Sequence, residues 1–303
     1  MVTNLAGLIE SAKSGKRGRI AVAGAADLPV LEAVHAAAGA GITEPLLVGD
    51  RRGIEEMAEK AGMDVSRVEI IDVADPAGAA ARAVALVREG SAQILMKGFV
   101  STEILLRAVL NKEHGIPTGK LLSHAGIFES SWYPKLFCVT DAAMNIAPAL
   151  EEKAAILNNA VSLFHRLGEE NPRVAVVAAV ETVNPKMEPT VHAAMLTQMN
   201  RRGQIRGCLV DGPLALDNAV SKEAAAHKGI VSEVAGDMDI ILVPDIEAGN
   251  ILYKSLVFLG GARTAGIIIG AKAPIVLTSR SDSDKSKLYS IALAACAGTG
   301  VGT

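Results

Sequence analysis

Aromatic residues and cysteines are scarce in this chain. Aromatic side chains make up 3% of its 303 residues although half of the residues are hydrophobic, so the core must consist mainly of small aliphatic side chains and glycine. Such side chains allow helices to pack closely on a sheet, which favours an α/β protein over an all-β sandwich. The three cysteines are widely spaced and odd in number, so they indicate neither a disulfide framework nor a zinc site. We therefore expect a reducing, cytoplasmic location.

An excess of charge of one sign is also missing. The chain has 30 lysines and arginines against 33 aspartates and glutamates, a formal net charge of −3, so we expect no nucleic-acid partner. No apolar run approaches the ~20 residues that a membrane-spanning helix needs, so we expect no membrane partner. The first five residues lack the basic and apolar regions of a signal peptide. Any anionic ligand must be held by local arginines and lysines.

Several common motifs for metal or cofactor binding are absent from the sequence. The six histidines show no HxxxH or HExxH spacing, so we do not expect them to bind a metal ion. There is no Walker motif, and no GxGxxG follows a predicted strand, which argues against a Rossmann dinucleotide site. Cys138 and Cys208 lie within apolar runs, where a cysteine is more typical of the core than of a nucleophile.

Short apolar runs alternate with longer segments of helical period along the chain. The pattern predicts helices at 76–88, at about 102–111 and at 148–167, with Asp75 and Ser101 as the N-caps of the first two. It also predicts eleven strands, at 20–23, 44–48, 68–71, 92–96, 121–128, 136–140, 174–180, 207–210, 240–243, 266–269 and 274–277. This alternation predicts a mostly parallel sheet, or two sheets, covered by helices.

The sequence also predicts two domains. The segment 141–148 is polar, contains a proline and leads into the long helix predicted at 148–167, so it is a candidate hinge. We expect the last strand and helix to return to the first domain, because the sheet of that domain would otherwise end early. The predicted domains are residues 1–141 with 272–303, and residues 142–271.

Polar residues follow several of the predicted strands. They include Lys97, Asp141, Glu181, Asp211, Asp245 and Arg280. A solvated loop or a helix cap explains any one of them. Open α/β sheets bind their ligands at the carboxyl ends of the strands, however, so as a set these side chains predict one ligand crevice if the sheets share a face.

The stretch 279–287 is the most informative of these strand ends. It lies between the strand predicted at 274–277 and an apolar segment at 288–296 that predicts a buried helix. The start of a helix favours an anion, and Arg280 adds a guanidinium group that suits phosphate or carboxylate. The nearby acids Asp282 and Asp284 have two interpretations, either as caps of the helix or as a group that takes a proton from an attacking atom.

Other strand ends supply further candidates for anion or substrate binding. Lys97 precedes the helix that carries Arg107, which is either a surface arginine or an anion ligand. Asp245 is either the N-cap of the next helix or part of a site. Asn250 and Lys254 are four residues apart, so they share one face of that helix.

Six segments of the sequence form a pattern in a fixed order. They are Lys97-Gly98, the run 139–148, the run 211–219, the run 239–250 that follows Ala235-Gly236, the pair Tyr253-Lys254, and Thr278-Ser279-Arg280. This pattern resembles the phosphate acyltransferase family, most closely its phosphate butyryltransferase branch, and it extends over essentially the whole chain. Motifs of this length in the same order are far more specific than a lone glycine loop.

The resemblance implies both a reaction and a fold. The reaction is reversible: acyl-CoA and phosphate give acyl phosphate and CoA, so CoA is a substrate and no bound cofactor is expected. The fold is α/β, with two three-layer α/β/α domains of the isocitrate/isopropylmalate-dehydrogenase-like type and the active site in the cleft. The implied partners are small-molecule substrates and further copies of the chain in a homo-oligomer.

The resemblance also implies roles for individual residues. Arg280 would hold the phosphoryl group and stabilise its departing charge, while Ser279 would donate a hydrogen bond to it. Arg107, on an early helix, would also bind phosphate. The remaining residues expected to bind substrate are Lys97, Ser101, Thr102, Asn145, Asp245, Asn250, Tyr253 and Lys254.

One position departs from the family pattern. Acetyl-transferring relatives carry an aspartate, implicated as the base, six residues after the arginine, where this chain has Ser286. The base is then Asp282, Asp284 or a group elsewhere, or no strong base is needed, because a thiol of pKa ~8.5 requires only modest help near neutral pH. We choose Asp282 as the predicted base.

Three alternative functions stay open at the level of the sequence. The acyl group is acetyl or propionyl instead of butanoyl, because one methylene group in a pocket is worth only ~1–3 kcal/mol. A non-catalytic protein that binds CoA or acyl phosphate is favoured by Ser286 alone. A decarboxylating dehydrogenase on the same fold would need NAD and a divalent metal ion held by clustered aspartates, for which Asp211 and Asp245 are candidates.

Overall fold

The chain forms two compact units in the computed structural model, which describes residues 2–277 and 283–298. The central unit contains Leu121–Thr264 and the first residues up to Asn4. The flanking unit contains Leu5–Lys120 and the described residues from Ala265 onward. The domain boundaries expected from the sequence, at 141/142 and 271/272, stay a prediction.

Eleven strands lie within the described residues, and each corresponds to one of the predicted runs. In chain order they are β1 (Gly18–Ala23), β2 (Thr43–Gly49), β3 (Glu69–Asp72), β4 (Ile94–Lys97), β5 (Ser123–Glu129), β6 (Phe137–Thr140), β7 (Arg173–Val177), β8 (Leu209–Leu214), β9 (Ile240–Leu242), β10 (Arg263–Ile269) and β11 (Ile275–Val276). Most of their residues are buried, as expected for strands that are covered on both faces.

The described residues also form eleven α-helices. They are α1 (Leu5–Ser14), α2 (Leu28–Gly39), α3 (Arg51–Lys60), α4 (Pro76–Arg88), α5 (Thr102–Val109), α6 (Leu150–Arg166), α7 (Glu188–Arg201), α8 (Leu216–Val220), α9 (Lys222–His227), α10 (Ile246–Lys254) and α11 (Asp284–Gly298). A π-helical turn at Ser255–Leu259 continues α10. None of these helices is long and apolar enough to cross a membrane.

Local sequence signals explain where the helices begin. Asp75 caps α4 by accepting a hydrogen bond from Gly78 N at 2.6 Å, and Pro76 follows at the first helical position. Ser101 caps α5 in the same way, so both predicted caps are confirmed. Helix α5 ends at Val109 rather than near residue 111, and α6 begins at Leu150, two residues later than predicted.

The sheet of the flanking unit has the strand order β3-β2-β1-β4-β11-β10. All neighbouring pairs are parallel except β10 and β11, which are antiparallel. Strand β1 lies between β2 and β4, so the chain reverses the direction in which it adds strands. Such a switch point leaves a crevice at the carboxyl ends of the two strands that flank it, here β1 and β4.

The sheet of the central unit has the strand order β5-β6-β9-β7-β8. Strands β5 and β6 are antiparallel, and the other neighbours are parallel. Its core includes Phe128, Phe137, Val139, Met238 and Ile241, which are all nearly inaccessible to solvent. The aromatic side chains are few, but two of them stack here, with the ring centroids of Phe128 and Phe137 5.5 Å apart.

Two predicted strand ends in the central unit are wrong. Strand β7 ends at Val177 rather than at residue 180, and β8 continues to Leu214 rather than ending at residue 210. The reason is a bulge, after which Val177 pairs with Leu214 and Ala178 N donates to the carbonyl oxygen of Leu214 at 2.9 Å. Asp211 therefore lies inside β8, and Glu181 lies in the loop beyond β7, so neither immediately follows a strand.

Candidate active site

In the flanking unit the carboxyl ends of β1 and β4 touch through their backbones. Gly98 N donates to the carbonyl oxygen of Ala23 at 2.9 Å, and Phe99 N donates to that of Gly24 at 2.6 Å. A β-carbon on Gly98 would collide with the carbonyl oxygen of Gly24, which itself has a φ of +70°. Glycine is therefore required at both positions, and the loop after β4 has a fixed path.

Lys97 is the last residue of β4 and is partly buried. Its Nζ donates to the carbonyl oxygens of Gly98 at 3.2 Å and Val100 at 3.3 Å, so the side chain bends over its own loop. The ammonium group thus lies at the switch point of the sheet. A cation in this position is suited to an anionic ligand, and the role of Lys97 in binding substrate stays a prediction.

Helix α5 carries the next three candidates. Ser101 Oγ accepts from Ile104 N at 3.2 Å, so this hydroxyl already serves as the N-cap, and Thr102 is exposed in the first turn. The side chain of Arg107 is 78% exposed and forms an ion pair with Glu103 at 2.6 Å. An exposed pair of this kind adds little stability, so a phosphate group can replace Glu103 at small cost.

Strand β11 runs parallel to β4, with Val276 beside Met96, so the carboxyl ends of the two strands are neighbours. The predicted catalytic residues follow β11 in the sequence: they are Ser279, Arg280 and Asp282, and all three lie outside the described residues. The structure therefore describes the strand that leads to them but not their side chains.

The start of helix α11 differs from the prediction. The helix begins at Asp284, so Asp284 lies in the first turn rather than at the cap, and its carboxylate is 3.7 Å from the ammonium group of Lys287. Ser283 Oγ accepts from Ser286 N at 3.2 Å, which is the hydrogen bond of an N-cap. The hydroxyl of Ser286 is 3.0 Å from that of Ser283. Position 286, where the resemblance implies an aspartate in acetyl-transferring relatives, thus carries a hydroxyl group that contacts Ser283.

In the central unit the loop after β6 is organised by a buried carboxylate. Asp141 is 2% exposed, and its Oδ1 accepts from the backbone N of Ala143 and of Met144, both at 2.9 Å. Its Oδ2 accepts from His124 N at 3.2 Å and from Asn145 Nδ2 at 2.6 Å. Four donors on one carboxylate fix the shape of the loop. The sequence predicted Asp141 at a strand end but did not predict this role.

Asn145, a predicted substrate ligand, is part of the same network. Its Nδ2 also donates to the carbonyl oxygen of Leu122 at 2.9 Å, so both amide hydrogens have partners within the protein. Any contact of this side chain with substrate must therefore use its amide oxygen as an acceptor, and the predicted role in binding stays a prediction.

Two more candidates lie where the chain leaves β9 and enters α10. Asp245 Oδ1 accepts from Ala248 N at 2.9 Å and is the N-cap of α10. Asn250 Nδ2 donates to the carbonyl oxygen of Ala142 at 3.3 Å, which links α10 to the loop after β6. Gly249 allows this contact, because a β-carbon there would lie 2.7 Å from the carbonyl oxygen of Asp141.

The last two candidates, Tyr253 and Lys254, differ in their surroundings. The ring of Tyr253 is packed between the elements of the central unit, with its centroid 4.9 Å from that of Phe128 and its hydroxyl 3.2 Å from Thr264 Oγ1. Lys254 is exposed in the last turn of α10. The surroundings of Tyr253 are those of a packing residue, whereas Lys254 is accessible to an anion.

A pair of basic side chains near α10 was not predicted. Lys153, on α6, is 4% exposed, and its Nζ lies 3.0 Å from His192 Nδ1 on α7. Burial lowers the pKa of Lys153, although the negative charges of Glu188 and Asp245 act to raise it. Burial and the adjacent Lys153 also lower the pKa of His192. The sequence signal was a lysine amid the apolar residues of a helix, which reads equally well as a surface position.

The cysteines are buried in agreement with the prediction that Cys138 and Cys208 belong to the core. Burial raises the pKa of the Cys138 thiol, and it raises the pKa of Cys208 to about 11. Both thiols are therefore protonated at neutral pH and are unsuited to nucleophilic attack. Within residues 2–277 and 283–298, no group of three or more histidine, cysteine, aspartate or glutamate side chains is placed to hold a metal ion.

Comparison with known proteins decides the family. A family model described as "Phosphate acetyl/butaryl transferase" matches residues 5–80 and 77–295 of the chain. The chain belongs to the phosphate acetyl/butyryltransferase family. The resemblance found in the sequence motifs is thereby confirmed over nearly the whole length.

Two curated members of this phosphate acyltransferase family show how far the similarity extends. Phosphate butyryltransferase of Clostridium acetobutylicum is 50% identical over 295 residues, which cover 97% of this chain and 98% of that protein. Phosphate acetyltransferase of Thermotoga maritima is 46% identical over 288 residues, which cover 95% of this chain and 97% of that protein. This phosphate acyltransferase is therefore an enzyme of the transferase class.

A solved structure extends the comparison of this phosphate acyltransferase to the fold. The branched-chain phosphotransacylase of Enterococcus faecalis V583 is 36% identical and superposes with a TM-score of 0.81, covering 92% of this chain and 98% of that one. The predicted α/β class is thus confirmed, and the α/β fold with its mixed sheet matches that of phosphotransacylases.

Proposed function

We propose that this enzyme transfers the butanoyl group reversibly between coenzyme A and inorganic phosphate. The observation that carries the proposal is the 50% identity to the Clostridium acetobutylicum phosphate butyryltransferase over 97% of the chain. The cation at the end of β4 and the exposed guanidinium group of Arg107 on α5 support an anionic substrate. Both belong to the flanking unit, which also supplies the strand that leads to Arg280.

We place the reaction in a cleft between two three-layer α/β/α domains of the isocitrate/isopropylmalate-dehydrogenase-like type, on the basis of the family resemblance. The residues assigned to substrate binding are Lys97, Ser101, Thr102, Arg107, Asn145, Asp245, Asn250, Tyr253 and Lys254. Lys97 ends β4, Asn145 and Asp245 lie in the segments that follow β6 and β9, and the others lie at the start of or within the helices that follow, so the set belongs to the ligand-binding edge of open α/β sheets.

In the direction of acyl-CoA formation, the thiolate of CoA attacks the carbonyl carbon of butanoyl phosphate directly. A carbon–sulfur bond forms, the carbon–oxygen bond to phosphate breaks, and phosphate leaves with the bonding electron pair. Arg280 holds the phosphoryl group and stabilises the charge that develops on it, and Ser279 donates a hydrogen bond to it. Arg107 provides a second positive charge for the same group. The reverse reaction retraces these steps.

The proton of the CoA thiol needs an acceptor, and we assign this role to Asp282. Ser286 stands where the resemblance implies an aspartate, and its hydroxyl lies beside that of Ser283. A neutral hydroxyl group cannot replace a carboxylate as the base. A thiol with a pKa of ~8.5 needs only modest assistance at neutral pH, so we expect the removal of Asp282 to slow the reaction less than the removal of Arg280.

A kinetic panel without added metal tests the proposal. Mixing the protein with CoA and butanoyl phosphate should produce the absorbance of a thioester. Arg280→Ala should lower kcat about 100- to 1,000-fold, as expected for a group that stabilises charge in the transition state. Arg52→Ala is the control, because Arg52 forms only an exposed pair with Glu56 on α3. The assignment fails if no acyl phosphate from acetyl to branched C5 reacts.

The same panel decides between acyl groups. The 46% identity to a phosphate acetyltransferase keeps acetyl or propionyl transfer as the second candidate. One methylene group discriminates by only ~1–3 kcal/mol, so the ratio of kcat/KM values must be measured rather than inferred from activity on one substrate. Tight binding of CoA without any turnover would instead identify a non-catalytic binding protein.

We further propose that the enzyme is a cytoplasmic homo-oligomer that uses CoA as a substrate and has no bound cofactor. Association is supported by exposed apolar side chains on the outer side of α10 and the π-helical turn, namely Ile251, Phe258 and Leu259. Sedimentation at micromolar concentration checks this proposal, and a species with the mass of one chain would contradict it.

A further inference from the structure

Exposed aromatic side chains are conspicuous in a chain with so few aromatics. Among the described residues of the flanking unit, two large hydrophobic side chains are strongly exposed: Phe99, at 61%, and Leu110, at 51%. Leu110 is the C-cap of α5, whereas Phe99 lies in the loop between β4 and α5. A phenylalanine that is 61% exposed offers apolar surface that a ligand can cover.

The loop that contains Phe99 is held in place by backbone hydrogen bonds and by packing. Its backbone N donates to the carbonyl oxygen of Gly24 at 2.6 Å, and the residues on either side of it are anchored as well. Gly98 is held against β1, and the side chain of Val100 is buried. The backbone therefore presents the ring of Phe99 from a fixed position at the switch point of the sheet.

Several of the residues that precede and follow Phe99 in the sequence are polar. Lys97 lies two residues before Phe99, and the exposed hydroxyl-bearing residues Ser101 and Thr102 follow it. These groups suit the phosphate end of an acyl phosphate, but none of them can cover an aliphatic chain. An exposed aromatic ring two residues after the lysine that ends β4 can supply the missing apolar surface.

We propose that Phe99 contacts the acyl chain of the substrate and favours butanoyl over acetyl groups. This inference rests on the proposed acyl transfer and adds the residue that sets its chain-length preference. The ring would cover the methylene groups that butanoyl has and acetyl lacks. Each methylene in an apolar contact contributes roughly a tenfold or larger preference, so a large part of the discrimination depends on this side chain.

The test compares kcat/KM for butanoyl-CoA and acetyl-CoA at saturating phosphate in the wild type, Phe99→Ala and Leu110→Ala. The ratio of the two values should fall about tenfold in Phe99→Ala, because the truncated side chain no longer covers the longer chain. Leu110→Ala, which removes an equally exposed apolar side chain from the same unit, should leave the ratio within twofold. Phe99→Leu, which retains apolar surface, should retain most of the preference.

The outcomes separate this inference from the function on which it rests. A wild-type protein without phosphate-dependent release of CoA overturns both. An active wild type whose ratio is unchanged in Phe99→Ala overturns the inference alone. Equal losses on the two substrates also overturn it, because they place the ring against the CoA moiety that both share. If Phe99→Ala does not fold, Phe99→Gln, which keeps a long side chain but loses the apolar ring, should show the same tenfold fall in the ratio.

Discussion

The ring of Tyr253 lies directly over the backbone of Gly126, so that a β-carbon on Gly126 would come within 2.7 Å of Tyr253 Cε2. Gly126 is in the middle of β5, and Tyr253 is in the last turn of α10. The same ring meets Phe128 edge-on, and its hydroxyl contacts Thr264, whose own hydroxyl donates to the carbonyl oxygen of Ile127. Tyr253 thus packs α10, the helix that carries Asn250 and Lys254, against the sheet.

Substitution of Gly126 should therefore be costly. We expect Gly126→Ala to lower the free energy of unfolding by about 2 kcal/mol, because the methyl group collides with a ring that packs against Phe128 and contacts Thr264. Chemical denaturation measures this change. Tyr253→Leu removes the ring, so the double variant should lose less stability than the sum of the two single variants. Strict additivity would show that the ring and the glycine do not restrain each other.

The architecture could be read from the sequence because its signals are local. Eleven apolar runs became eleven strands, and Asp75 and Ser101 cap the helices that their spacing predicted. Strand β8 shows the limit of such reading. Asp211-Gly212-Pro213 has the composition of a turn, yet it continues the strand, because pairing with β7 resumes beyond a bulge. That pairing depends on the partner strand β7, so the sequence of the segment itself does not predict it.

The candidate site was less predictable for a related reason. The sequence identifies polar residues at strand ends but does not show which of them are already engaged by the protein. Asp245 is used as a cap, and both amide hydrogens of Asn145 have acceptors within the protein, on Leu122 and Asp141. The contact between Lys153 and His192 joins two separate helices, so no spacing rule could reveal it. Family resemblance supplied the reaction, which composition and periodicity alone did not.

Asp141 should be among the residues of the central unit most sensitive to substitution. Asp141→Ala leaves the backbone N–H groups of His124, Ala143 and Met144 without their acceptor, so we expect the free energy of unfolding to fall by about 3 kcal/mol. Denaturation with urea at neutral pH measures the loss. Asp50→Ala removes an ordinary N-cap from α3 and should cost about 1 kcal/mol. Equal losses in the two variants would contradict the organising role of Asp141.

The ion pairs of Lys135 with Asp237 and Asp239, next to the amino ends of β6 and β9, should contribute to the stability of the protein at neutral pH. Lys135 Nζ lies 2.6 Å from Asp239, which is 1% exposed, and 3.0 Å from Asp237. Lys135→Met leaves the buried carboxylate unpaired, so the free energy of unfolding should fall by about 3 kcal/mol at pH 7. Lys13→Met, which breaks an exposed pair with Glu10, should change it by less than about 1 kcal/mol.

The pH dependence of the Lys135 effect follows from Asp237. Burial opposes ionisation of this carboxyl, but the hydrogen bond and charge of Lys135, together with the charges of Arg173 and Lys222, outweigh burial and lower its pKa in the folded protein. A lowered pKa contributes stability above the unfolded value, near pH 4, and the contribution is lost as the pH falls through the folded value. The difference between wild type and Lys135→Met should therefore narrow in acid. A difference that grows below pH 4 would refute this account.

The pair formed by Lys153 and His192 offers a spectroscopic prediction. The positive charge of Lys153 is one reason for the lowered pKa of His192, after burial. Lys153→Met removes that charge, so the pKa of His192 should rise, whereas Lys153→Arg should leave it low. A proton NMR titration of the imidazole ring, assigned with His192→Asn, measures both. The electrostatic coupling is absent if the methionine and arginine variants titrate alike.

The way the chain divides between its two units sets the order in which they can be completed on the ribosome. The central unit is complete in sequence once Thr264 has been synthesised. The flanking unit begins earlier but must wait for β11, which fills the place between β4 and β10, and for α11, which packs on α1 and α2. Nascent chains therefore carry a sheet with an open edge at β4 until β11 has been synthesised. A premature stop codon directly before β11 would leave the central unit complete in sequence and β4 without its neighbour β11.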